Sequence, residues 1–140
     1  MVFHMKRKEK SVITSGKRKK AVARALITAG TGKIRINSVP LELVQPDYAK
    51  LRVKEALMLA GDSAKTIDID VSVNGGGVWG QADAARTAIA NALVQKDENL
   101  RNVYLAYDRS LLISDPRRTE PHKPSRSKDG PRASKQQSKR

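Results

Sequence analysis

The last 25 residues set the first limit on what this chain can fold into. From position 116 to the end the only apolar aliphatic side chain is Ala133, and Pro116, Pro121, Pro124 and Pro131 interrupt any helix. Such a segment has no apolar face to offer a core, so it is expected to be extended on its own. It is also cationic, with nine Lys or Arg against Glu120 and Asp129, a balance of +7. Residues 1–20 hold eight Lys or Arg against Glu9, again +7. The whole chain carries +14, so residues 21–115 are neutral, with 11 basic and 11 acidic side chains. At 140 residues the chain suffices for one small domain. The division read from this is a basic extension over 1–15, a globular α+β domain over 16–115 and an extended basic tail over 116–140. Arms of this kind order when phosphates neutralise them, which points to a nucleic-acid partner and steep salt dependence.

Other classes fall away for lack of chemistry. There is no cysteine, hence no disulfide, thiolate nucleophile or Cys-based zinc site, and a reducing, cytoplasmic location is expected. The two histidines, His4 and His122, sit in the arms, where neither a fixed tautomer nor a metal-ligand cluster is expected. No catalytic residue, metal or cofactor is assigned. No apolar run approaches the roughly 20 residues that span a bilayer, and residues 1–10 lack the apolar centre of a signal peptide. No membrane partner and no homo-oligomer are expected.

The neutral body alternates strand and helix patterns. Residues 22–28 and 33–37 read as strands joined by Gly30, Thr31 and Gly32 in a hairpin, with Ile34 and Ile36 turned to the core. A helix follows from an Asp47 N-cap to Gly61, with Leu51, Leu57, Leu59 and Ala60 as its apolar positions. Ile67, Ile69, Val71 and Val73 alternate with Asp68, Asp70 and Ser72, the signature of a strand whose acids are solvated. Residues 75–80 read as a glycine turn, 81–96 as an alanine-rich helix able to approach its sheet closely, and 98–107 as a helix with Leu100, Val103, Tyr104 and Tyr107 on one face. Leu111, Leu112 and Ile113 read as a short closing strand. The layout is β-β-α-β-α-α-β, with helices on one face of a mixed sheet.

Three features invite a functional reading. Gly75, Gly76, Gly77 and Gly80 precede a helix, where backbone amides and the helix dipole favour phosphate, yet the run matches no P-loop and no dinucleotide fingerprint. An RNA-backbone contact or a tight turn is preferred to a small-molecule phosphate site. Trp79 in that run can stack on a base or pack over the sheet. Gly16-Lys17-Arg18-Lys19-Lys20 stands just before the first expected strand, so the domain holds its charges at a fixed point; a nuclear-localisation run has the same composition. A non-specific RNA chaperone and a small-molecule kinase are the competing classes.

Four stretches, in this order and spacing, carry a resemblance: Gly16-Lys17-Arg18-Lys19-Lys20-Ala21-Val22-Ala23-Arg24; Gly30 onward to Asn37; Asn74-Gly75-Gly76-Gly77-Val78-Trp79-Gly80-Gln81-Ala82; and Asp115-Pro116-Arg117-Arg118-Thr119-Glu120-Pro121 with the terminal Ser138-Lys139-Arg140. From Thr14 onward the chain resembles the universal small-subunit ribosomal protein S-nine family in its archaeal and eukaryotic form. The resemblance implies a two-layer β-α-β sandwich like the second domain of ribosomal protein S-five, with a left-handed crossover and extended basic arms. It implies a non-enzymatic constituent of the head of the small subunit, beside neighbouring ribosomal proteins. Lys17, Arg18, Lys19, Lys20, Arg24, Arg117, Arg118, Lys123, Arg126 and Arg132 would then bind small-subunit rRNA. Lys139 and Arg140 would touch the P-site tRNA. Gln137 stands where the family often has an aromatic residue. Residues 1–5 lie outside the match, with Met5 a second candidate start.

Overall fold

The computed structural model describes residues 11–121. Its sheet has five strands, β1 (Val12–Arg18), β2 (Ala21–Ala29), β3 (Ile34–Ile36), β4 (Val39–Pro40) and β5 (Ile67–Asn74), in the order β1-β2-β5-β3-β4. Three helices accompany it: α1 (Asp47–Ala60), α2 (Val78–Lys96) and α3 (Asn99–Tyr107). β1, β2 and β5 run antiparallel in turn, β5 and β3 are parallel, and β3 and β4 antiparallel. The mixed α+β class read from the sequence is therefore the one observed.

Period-two alternation builds the centre. Ala21, Ala23, Ala25 and Ile27 of β2 and Ile67, Ile69, Val71 and Val73 of β5 are buried, while Arg24, Thr28, Asp70 and Ser72 between them are exposed. Each buried Ile or Val contributes roughly 1.5–3 kcal/mol. Over this inner face lies α2, whose residues 84–90 and 92–94 are all buried. A helix covered on all sides belongs between layers, and α2 packs on β1, β2 and β5 below and on α1 and α3 around it. Its alanines allow the backbones to meet: Thr14 Oγ1 donates to the Ala88 carbonyl at 2.8 Å, and Gly16 has no room for even a methyl group against Ala84 and Ala88. Tyr104 is fully buried and its hydroxyl donates to the Ala56 carbonyl at 2.8 Å, tying α3 to α1.

Several expectations are corrected. Residues 12–18 form β1, so the sheet starts inside the stretch read as an extension, and the basic run is not a lead-in but the end of β1 and its turn. An exposed Ile13 on its outer face, and Thr14, Gly16 and Arg18 on its inner one, conceal the alternation. Residues 30–32 do not close a hairpin, because β5 lies between β2 and β3; alternation marks a buried face but does not name the neighbour. The loop instead wraps Asp68, whose carboxylate accepts from the amides of Thr31 at 3.1 Å and Lys33 at 2.9 Å. Asp68 is thus a loop anchor rather than a merely solvated charge, and those amide bonds, the one from Lys33 foremost, hold its carboxyl below the ordinary range.

In α1 the N-cap position is Pro46 and Asp47 opens the helix. Its buried stripe is Ala49, Val53, Ala56 and Ala60, leaving Leu51 exposed and Leu57 and Leu59 half-buried. In α3 only Leu100 and Tyr104 of the expected face are buried. α2 begins at Val78, so the glycine turn proper is Gly75, Gly76 and Gly77. The closing strand is absent: residues Arg109–Leu111 make a 3-10 turn whose Asp108 side chain accepts from the Ser110 amide at 2.9 Å.

Candidate nucleic-acid interface

The β1–β2 hairpin register pairs Arg18 with Ala21, which makes Lys19 and Lys20 the turn. Lys19 has a φ of 53°, the left-handed value a two-residue turn between twisted strands requires. The turn rests on the glycine run. A Cβ on Gly75 would lie 2.6 Å from the Lys20 carbonyl oxygen, and one on Gly76 3.0 Å from the Ala21 amide nitrogen, both at positive φ. These two glycines are therefore explained by a tight turn packed beneath the hairpin. Gly80, inside α2, faces the Arg18 carbonyl at ordinary contact distance, whereas Gly77 has open space around it. α2 has no side-chain N-cap and no acid in its first turn, so its N-terminal partial positive charge lies uncompensated beside the lysines.

The two basic clusters read separately from the sequence converge. Asp115 is the joint: its carboxylate forms an ion pair with Arg18 at 2.5 Å and accepts from Arg117 through its amide at 2.9 Å, its Nε at 2.9 Å and its Nη2 at 2.6 Å. These bonds from Arg117, helped by the charge of Arg18, hold the Asp115 carboxyl far below the ordinary range. The Arg118 guanidinium donates to the Lys19 carbonyl. The root of the C-terminal segment is thereby fixed against the hairpin turn, with Lys17, Lys19 and Lys20 exposed around it. Among the described residues no acid lies within ion-pair distance of these three lysines or of Arg24. Arg24 stands apart on the helix-free face of the sheet, flanked across the strands by Ser15 and Ser72. Lys123, Arg126, Arg132, Lys139 and Arg140 lie outside the described residues.

Behind the hairpin is a network that sequence reasoning missed. Arg86, 2 % exposed, donates to Glu55 at 2.8 Å and to the Ser110 hydroxyl at 3.0 Å, and stands 3.6 Å from Asp108. Arg52 pairs with Asp83 at 2.9 Å and Glu55 at 3.4 Å. Arg18 reaches Asp83 at 3.8 Å. Burial pushes the Glu55 carboxyl up, but hydrogen bonds from Tyr107 and Arg86 with the nearby guanidinium charges outweigh it and hold it low. Asp108 is likewise held low, chiefly by its bonds from Ser110. A cavity of about 130 Å³ opens among Arg18, Arg52, Asp83, Arg86 and Asp115. The acids of this network come from α1, α2, the end of α3 and the arm root, and its cations from β1, α1 and α2, so it joins all of these segments. The i,i+3 pair Arg52 and Glu55 is its only local sequence signal.

Fold and surface together define a class: a small α+β domain, helices on one sheet face, with a cationic edge gathered at one hairpin. The chain belongs to the ribosomal protein S9/S16 family, whose model matches residues 16–140. It is 53% identical over 131 residues to the small ribosomal subunit protein uS9 of Methanococcus vannielii, covering 92% of this chain and 98% of that relative. Two proteins of the same name from Methanococcus maripaludis strains are 52% identical over the same shares.

Proposed function

We propose that this protein is a structural, non-enzymatic constituent of the small ribosomal subunit, that it binds rRNA in the subunit head, and that its C-terminal tail contacts P-site tRNA. The observation that carries the rRNA reading is the convergence of Lys17, Lys19, Lys20 and Arg118 on one hairpin turn, with no acid paired to the three lysines among the described residues. Cations held rigidly at a single edge match a phosphate ridge better than a diffuse solubilising charge does. Family membership and the names of its relatives support the subunit. Arg24, Arg117, Lys123, Arg126 and Arg132 extend the rRNA contact, and Lys139 and Arg140 are the tRNA contact. The reading includes the S-five-like sandwich with its two basic arms, neighbouring ribosomal proteins as partners and a cytoplasmic location.

The test has two arms. Alanine at Lys17, Lys19 and Lys20 lowers incorporation into subunits, read as occupancy on a sucrose gradient at high salt. Deleting residues 138–140 leaves occupancy near normal and weakens P-site tRNA retention. Full occupancy of the triple variant removes the rRNA role of the hairpin, and unchanged tRNA retention removes the role of the tail tip.

A further inference from the structure

Trp79 and Tyr48 come from the first turns of α2 and α1 and stack face to face, ring centroids 4.4 Å apart and 17° from parallel. Neither belongs to the core cluster. Trp79 is 57 % exposed and Tyr48 43 % exposed, so two large rings cover each other on one face while much of their remaining surface stays open to water. Core packing does not explain that arrangement. Their surroundings decide what would cover them. Trp79 follows the Gly75–Gly77 turn, on which the Lys20 carbonyl rests, and precedes Gly80, which faces the Arg18 carbonyl. The backbone on either side of Trp79 therefore packs against the turn at residues 18–21 that carries the exposed lysines, and the ring pair stands at the uncapped N-terminus of α2.

We infer that the Tyr48–Trp79 stack is a platform for an unpaired RNA nucleobase, which continues the stack while its flanking phosphates lie toward Lys19 and Lys20. This rests on the RNA reading above and adds a base contact to its phosphate contacts. A flat aromatic pair beside cations is what single-stranded RNA engages, the base taking the ring face and the backbone the charges. An apolar protein surface would gain nothing from the lysines, so charge complementarity favours the nucleotide. Because the two rings already hold each other in place, a base joining them orders few side-chain torsions.

Trp79 is the chain's one tryptophan, so its fluorescence reports on this place alone. The full-length protein is titrated with a short single-stranded oligoadenylate and with an abasic oligonucleotide of equal length. Oligoadenylate is expected to quench Trp79 and the abasic strand to bind without quenching. Trp79→Ala and Tyr48→Ala should each weaken oligoadenylate binding by about tenfold and leave abasic binding and the salt slope unchanged. Trp79→Phe should restore affinity, which excludes a folding defect. Equal quenching by both strands, or undiminished binding by Trp79→Ala, overturns the platform while the RNA reading stands. Failure of both strands to bind at low salt overturns the two together. In assembled subunits, ultraviolet crosslinking of Trp79 to a neighbouring polypeptide instead of RNA also overturns it.

Discussion

A Cβ on Gly16 would stand 2.3 Å from the Ala84 carbonyl oxygen and 2.7 Å from the Ala88 amide nitrogen, backbone atoms of α2 that no rotamer change can move aside. The residue next to it, Lys17, points the other way and is exposed. Two adjacent positions of one basic motif thus answer to different physics, packing for the first and charge for the second. Gly16→Ala is expected to destabilise by about 1–3 kcal/mol through overpacking, while Lys17→Ala stays within about 0.5 kcal/mol. Thermal unfolding followed by circular dichroism separates them, and equal midpoints would mean that β1 does not lie this close to α2. At Arg86 a single side chain holds several segments. Truncating it to alanine leaves Glu55 without its closest cation and the Ser110 hydroxyl without its donor, at a cost of about 3 kcal/mol. A chemical-denaturation midpoint like that of the unaltered protein would contradict that role.

Beside the apolar core, several elements here are joined by acids held in the charged form, which makes their association depend on pH. Glu55 of α1, Asp108 at the end of α3 and Asp115 at the arm root are all held below their ordinary carboxyl values. In the unfolded chain they titrate near about 4 and take up protons first, so stability is complete above that value and falls as the pH drops through the lower folded values. Denaturation midpoints measured from pH 7 downward should stay level to about pH 5 and then decline. Glu55→Gln should flatten the decline while lowering the plateau; an unaltered slope would show that its pairings carry no linkage. Much of the element layout was legible beforehand: β5, α1, α2 and α3 announce themselves because strong periodicity is a local property. Which strands neighbour each other was not, since β5 enters between β2 and β3 from more than 30 residues away. Residues 111–113 look like a strand by composition, but Asp108 captures the Ser110 amide and turns the chain. In the candidate interface the lysines were legible as charge. Their meeting with Arg118 depends on Asp115, whose partners are set by tertiary structure.

For the whole molecule the division of charge governs behaviour. The +14 lies entirely outside the neutral stretch 21–115, yet the fold brings residues 17–20 and 117–118 to one edge. On the proposed rRNA role, a polyanion is expected to bind most strongly where both ends meet, each phosphate neutralised there releasing counterions. Three exposed lysines on a rigid hairpin should each account for about one unit in the slope of log affinity against log salt. Alanine at Lys17, Lys19 and Lys20 together is expected to reduce that slope by about three for a head-rRNA fragment. Trp79→Ala, which removes no charge, should leave it unchanged while lowering affinity. Filter binding across a salt series distinguishes a hairpin that seats phosphates from one whose lysines only keep the protein soluble. In the second case the triple variant would retain the slope of the unaltered chain, and the contact would have to lie with the arms alone.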